Sequence, residues 1–149
     1  MTEDELSPIE VTMPAGAIVF GFVDEVRTQA LMGYYMPLLT RAEQLTFDDM
    51  LPETVDFLAT STGSTQEPVL ISGMDDIGDS RHAVTFLTDG GGFNLRWELT
   101  VFRRGEVAAF LYIFYPDGDE PAALSEELAR LLDQSIAGQT PSGDAGNTY

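Results

Sequence analysis

Side chains able to do chemistry are few in this chain, and their types exclude more than they suggest. His82 is the one histidine, cysteine is absent, and all seven basic residues are arginines. Without lysine there is no Schiff base and no P-loop; without cysteine there is no thiolate nucleophile, thiolate zinc site or disulfide. An imidazole base would have to be His82. Its expected place is the start of a strand, on an apolar face near Leu99, where a histidine belongs to the core or the sheet end. Gly90, Gly91 and Gly92 join two strands instead of opening a helix, so they do not read as a phosphate cradle.

Carboxylates are the one abundant reactive group, with 25 Asp and Glu. At that density pairs occur at every spacing by chance. A glycosidase-like pair needs one buried acid of raised pKa. Glu98 is the only acid deep within an expected strand, and it is placed on the polar side beside Arg96, as a member of a cross-strand ion pair. Asp75-Asp76-Ile77-Gly78-Asp79 and Asp117-Gly118-Asp119-Glu120 could face a hard cation, but neither has EF-hand spacing and both read as solvated turns. Arg103-Arg104 is the only basic pair and reads as a hairpin tip. No catalytic residue, cofactor site or metal site is expected, and the chain reads as non-enzymatic.

The charge balance narrows the partners. Net charge is −18, which repels phosphate backbones and anionic lipid surfaces alike. Nucleic acid is therefore not expected as a partner. The acids are dispersed, as in a solvated surface or one adapted to a salty environment. No stretch is long and apolar enough for a membrane-spanning helix, so membrane insertion is not expected. The apolar run Ala15 to Val23 follows acids instead of a basic n-region, so it does not read as a secretory signal. The default expectation is a cytoplasmic chain, or an extracytoplasmic one if a leader has been removed.

The elements that would position these residues fit one domain. A chain of 149 residues can bury roughly 70% of its unfolded surface. Residues 1–8 read as a flexible acidic lead-in, 9–138 as a single α+β domain and 139–149 as a disordered tail. Ile9, Val11 and Met13 alternate as in a short strand, and Ala17 to Val23 fits either a buried strand or a helix start. Val26, Ala30, Tyr34 and Leu38, flanked by Leu31 and Tyr35, recur at four-residue intervals and predict a helix broken near Pro37. Tyr34-Tyr35 would then be core residues on that helix. Thr46 and Asp49 predict the start of a second, short helix that Pro52 limits or extends by a turn, and Thr60 to Gln66 should be a loop.

The second half is better marked. Val69 to Ile71 reads as a strand. Arg81 to Thr88, Phe93 to Arg103 and Glu106 to Tyr115 read as three more, joined by glycine-bearing hairpin turns. A two-residue turn at Arg104-Gly105 sets Arg103 against Glu106. It also sets Val101, Leu99, Trp97 and Leu95 against Ala108, Phe110, Tyr112 and Phe114. A four-residue loop at 89–92 adds Phe86, Val84 and His82 to the same face, which is nearly all apolar. The last strand is apolar on its other face too, through Leu111, Ile113 and Tyr115, which demands a cover: a helix of the same chain, a ligand or a partner. After a turn at 116–121, Leu124, Leu128, Leu131, Leu132 and Ile136 mark a closing helix that Gly138 would stop.

Three segments carry a likeness to a known group: Ile77-Gly78-Asp79-Ser80 before a strand, Leu99 to Gly105 with its Phe-Arg-Arg-Gly turn, and Leu128-Ala129-Arg130-Leu131-Leu132-Asp133 with Ile136. In this order the chain resembles small bacterial PsbP/Mog1-like α+β proteins, including secreted lipoproteins of LpqN type. The resemblance spans roughly residues 77 to 137. It implies an accessory, assembly or ligand-binding role without catalysis, and supplies no functional residues.

The fold expected is thus α+β: an antiparallel sheet of four or five strands that includes a three-stranded meander, packed on one side by helices and closed by a C-terminal helix. The function expected is binding, to another protein or to a second copy, through Leu111, Ile113 and Tyr115. The alternative is a carrier of a small apolar ligand, with a pocket between sheet and helices lined by Trp97, Phe110 and Tyr112. A carboxylate enzyme comes third.

Overall fold

The computed structural model describes residues 7–8, 18–26, 28–38, 40–121 and 124–139. Two antiparallel meanders meet in one sheet. The first is β1 (Ser7–Pro8), β2 (Ile18–Asp24) and β3 (Gln29–Pro37). After α1 (Arg41–Thr62) comes the second: β4 (Val69–Leu70), β5 (Ser80–Asp89), β6 (Asn94–Arg104) and β7 (Val107–Pro116), followed by α2 (Ser125–Gln139). The seven strands lie in the order β1-β2-β3-β7-β6-β5-β4, antiparallel throughout. The seam between the meanders pairs β3 with β7, from Ala30 opposite Phe114 to Pro37 opposite Val107. Each edge strand is only two residues long, which limits the unpaired backbone the sheet offers to other chains.

The class is the α+β one expected, with more strands and a different layering. Helices cover both faces of the sheet, not one. On the first face Leu51, Val55 and Ala59 of α1 pack on Val84, Phe86, Leu99, Val101, Ala108 and Phe110. On the second, Ala129 and Ile136 of α2 pack with Met74 and Ile77 on Ala83, Phe102, Ala109, Leu111 and Ile113. β5, β6 and β7 therefore contribute apolar side chains from both faces, which is what a strand buried in the middle of three layers requires.

The expected helix around Val26 to Leu38 is a β-hairpin. Val26 sits 84% exposed near the tip of the β2–β3 turn, and Ala30 through Pro37 pair in the sheet. The turn includes Thr28, whose φ of 54° is the left-handed conformation a tight hairpin needs. Both hairpins of the second meander are present, each two residues out of the expected register. Arg104 opposes Val107 and Arg103 opposes Ala108, while Phe86 opposes Trp97 and Asp89 opposes Asn94. Because side chains alternate with period two, a slip of two leaves every residue on its expected face.

α1 starts earlier and runs longer than expected. Thr40 accepts from the Glu43 N–H at 3.0 Å while Glu43 accepts from the Thr40 N–H at 2.9 Å, a complete capping box. Pro52 lies inside this helix, not at an end, and faces outward, where solvent can hydrate the carbonyl its missing N–H leaves open. In α2, Leu128, Leu132 and Ile136 face the sheet, but Leu124 and Leu131 are exposed, and Gly138 falls within the helix instead of stopping it. The expected strand at Ile9 to Met13, most of the lead-in and nearly all of the tail lie outside the described residues.

Candidate functional site

The densest polar cluster lies where β6 ends. Consecutive strand residues point to opposite faces, so Arg103 and Arg104 reach different helices. On the α1 side, Arg103 Nε and Nη2 each donate to Asp48 at 2.8 Å in a two-pronged bond, and the Ser80 hydroxyl donates to the same carboxylate at 2.6 Å. On the α2 side, Arg104 donates to Asp133 at 2.8 and 2.6 Å, and the Gly78 N–H adds a third bond to Asp133 at 2.9 Å. Asp79 stands between them, accepting from the Gly105 N–H at 2.7 Å.

The electrostatics follow from this geometry. The Arg103 hydrogen bond, opposed by partial burial, holds Asp48 below the usual carboxylate range. Burial alone would raise Asp133, but Arg104 and the Gly78 N–H outweigh it and Asp133 also lies low. Only glycine fits the approach to the Arg103 carbonyl at position 78, where φ is 64°, because a Cβ there would meet that oxygen at 2.7 Å. The cluster is a clamp that ties both helices to one end of the sheet. Every charge in it is already answered, so it is not an anion site.

A second cluster joins β6, β7 and α2. Glu98 accepts from the Tyr115 hydroxyl and from Ser125 Oγ at 2.5 Å, at the first residue of α2. Arg96 pairs with Asp117 at 3.1 Å, and Glu98, expected in a cross-strand ion pair, makes none among the described residues. Burial, and then Glu98, push the Tyr115 phenol up. Ser125 is 4% exposed, so this group serves as a buried link rather than as a reacting one.

The other expected positions can be placed one by one. His82 is half-buried opposite Val101 and makes no side-chain hydrogen bond among the described residues. It borders a hollow of about 230 Å³ at the β4 edge with Arg81 and Met74. The acidic loops spend carboxylates on arginines: Asp76 on Arg130 at 2.9 Å and Asp117 on Arg96. Gly91 and Gly92, at φ 85° and 110°, make the β5–β6 turn, where Asp89 accepts from the Gly91 N–H. No group of three or more metal-ligating side chains converges among the described residues.

Leu111, Ile113 and Tyr115, expected as an exposed contact surface, are 0%, 1% and 9% exposed beneath α2. The chain itself covers this face, because α2 returns across β6 and β7, and the three residues offer no surface to a partner. Trp97, Phe110 and Tyr112, expected to line a pocket, lie on the α1 side and fill their space with one another's neighbours. Phe110 stacks on Tyr34 at 4.6 Å, and Trp97 leans on Phe114 at 4.7 Å while its indole N–H donates to Thr88 at 2.8 Å. Burial raises the Tyr112 phenol, next to Tyr34.

An open apolar surface lies along α1. Its inward stripe of Leu51, Val55 and Ala59 is sealed, but one flank is not. Leu38, Ala42, Glu43, Thr46, Phe47, Met50 and Thr54 line a groove of about 450 Å³. Met50 is 53% exposed on it, and Phe57, two turns on from Met50, is 69% exposed. Next to this stripe run Asp49, Glu53 and Asp56 at helical i, i+4, i+7 spacing, all exposed and all without an ion pair among the described residues. The sequence reading missed this site because it placed a helix before Pro37, a break there, and only a short second helix starting at Thr46. The signal was present: Thr40-Arg41-Ala42-Glu43 is a capping box, and Leu45, Met50 and Phe57 fall outside any single inward stripe.

No family model and no curated protein matches the chain.

Proposed function

We propose that this chain is a non-enzymatic binding or accessory protein that engages a protein partner through the flank of α1. The observation that carries the reading is the groove from Leu38 to Thr54, with Met50 at its rim and Phe57 beyond it. Large apolar side chains that stand together in water without packing on their own fold mark contact surfaces, and methionine adapts its shape to a partner's. A groove beside an exposed helix is a common form of peptide recognition. The likeness to PsbP/Mog1-like accessory proteins points the same way.

The test is affinity capture from native-source extract with the wild-type chain and with Met50→Ser/Phe57→Ser side by side. A stoichiometric protein held by the wild type and released by the variant, with both equally stable to urea, supports the reading. Equal retention by both moves the contact surface away from α1, and no retained protein by either removes the reading.

A further inference from the structure

Resting on that reading, we propose that the segment bound on the α1 flank is a basic amphipathic helix of the partner. Ala42, Thr46, Met50 and Thr54 recur every four residues, with Phe57 continuing the line, so the groove follows the helix axis. From Ala42 to Phe57 that line covers about four turns, or roughly 22 Å, the length of a helix of about fifteen residues.

The charge beside the groove fixes the partner's sign. Asp49, Glu53 and Asp56 form a ridge one residue round the helix from the apolar line. Like charges at i, i+4 disfavour a helix, as do acids with no base in the last turn to meet the negative end of its dipole. Asp48, Asp76, Asp117 and Asp133, elsewhere in the fold, have arginine partners. The ridge on α1 has none among the described residues, and Arg41, at the start of the helix, turns to Gln44 instead. Folding gains nothing from this arrangement, whereas a helix with an apolar stripe bordered by Lys or Arg would complement both lines at once. A second copy of this chain would set acid ridge against acid ridge, and nucleic acid or an anionic membrane would be repelled.

The experiment uses the full chain and three labelled 16-residue peptides with leucine at one helical stripe and Lys, Gln or Glu elsewhere. Binding is read by fluorescence anisotropy at low and high salt. The expected result is that the Lys peptide binds roughly tenfold or more tighter than the Gln peptide, the Glu peptide does not bind, and added salt erodes the difference. Met50→Ser/Phe57→Ser weakens the Lys peptide, and Asp49→Asn/Glu53→Gln/Asp56→Asn brings the Lys peptide to the level of the Gln peptide. All five positions are exposed, so folding is retained in both variants.

Equal binding of Lys and Gln peptides, lost in the serine variant, would overturn the basic partner and leave the α1 contact surface standing. Lys-peptide binding unchanged in the serine variant would show attraction to the acidic surface at large and overturn the inference. No binding of any peptide would overturn it as well, while the capture experiment separately decides the α1 reading. Concentration-dependent dimers abolished by Met50→Ser/Phe57→Ser would assign the groove to a second copy and overturn it too.

Discussion

The two helices meet the same sheet under similar constraints and end in different states. Each is tied to the end of β6 by one of two adjacent arginines. Each buries an apolar stripe on its own face of the sheet. On α2 the charge is resolved within the chain: Glu126 and Glu127 occupy the first turn, where the helix dipole favours them, and Asp133 meets Arg104. On α1 Glu43 closes the capping box in the first turn and Asp48 meets Arg103, but the acids of the outer ridge have no ion pair among the described residues and lie beside apolar side chains left in water. Since one clamp and one stripe suffice to dock a helix here, we assign the apolar and acidic flank of α1 to the proposed partner contact.

The largest effect should come from opening the sealed side. Ile113→Asp puts an unpaired charge under α2 and is expected to cost more than about 4 kcal/mol, leaving no cooperative unfolding transition by circular dichroism. A folded, soluble variant would mean that α2 does not seal that face as firmly as α1 seals its own. Next come the two clamps. Arg104→Met strands Asp133, whose side chain is 7% exposed, whereas Arg103→Met strands Asp48, at 26%. Both should destabilise by about 2–4 kcal/mol in urea, with the α2 clamp the costlier, because an orphaned charge costs more the deeper it lies. The reverse order would make α1 the more tightly held helix.

Acid should act on both clamps together. Asp48 and Asp133 have folded pKa values below their unfolded ones, so their contribution is complete above the usual carboxylate range. It is lost as pH falls below about 4 and through those lowered values. Asp48→Asn/Asp133→Asn should therefore show a flatter stability profile below that pH than the wild type, measured by urea midpoints. An equally steep profile would place the acid-sensitive charges elsewhere. The smallest effect belongs to the ridge. Glu53→Lys should stabilise α1 by a few tenths of a kcal/mol while weakening the partner contact, the opposite sign from every change above.

Much of the second meander was legible in the sequence, because glycine turns and alternation agree on which residues share a face. Its register was not, since two slips of two residues preserve every face and the pattern cannot see them. The same arithmetic explains the β2–β3 hairpin. Val26, Ala30, Tyr34 and Leu38 are four apart, a helical repeat, but every spacing of four is also even and suits one face of a strand. Only the partner strand decides, and β3 lies between β2 and β7. The contact surface was assigned to Leu111, Ile113 and Tyr115 because an apolar second face needs a cover. A helix of the same chain, a ligand or a partner would each meet that need, and in the fold α2 is the one that does. The open flank of α1 is hidden in a reading that starts the helix at Thr46 and lets Pro52 either limit it or add one turn, because the flank needs the full length from Arg41 to Thr62.

The seam between β3 and β7 has a consequence in time. Every other strand pairs with a neighbour in sequence, so each meander can assemble through short loops. Joining Ala30 to Phe114 must close a loop that contains α1 and most of the second meander. Contacts so distant along the chain are slow to form, which makes this seam the expected bottleneck of folding. Substitutions along it should slow refolding, whereas those at the glycine turns should chiefly hasten unfolding, a division that stopped-flow chevron plots would display.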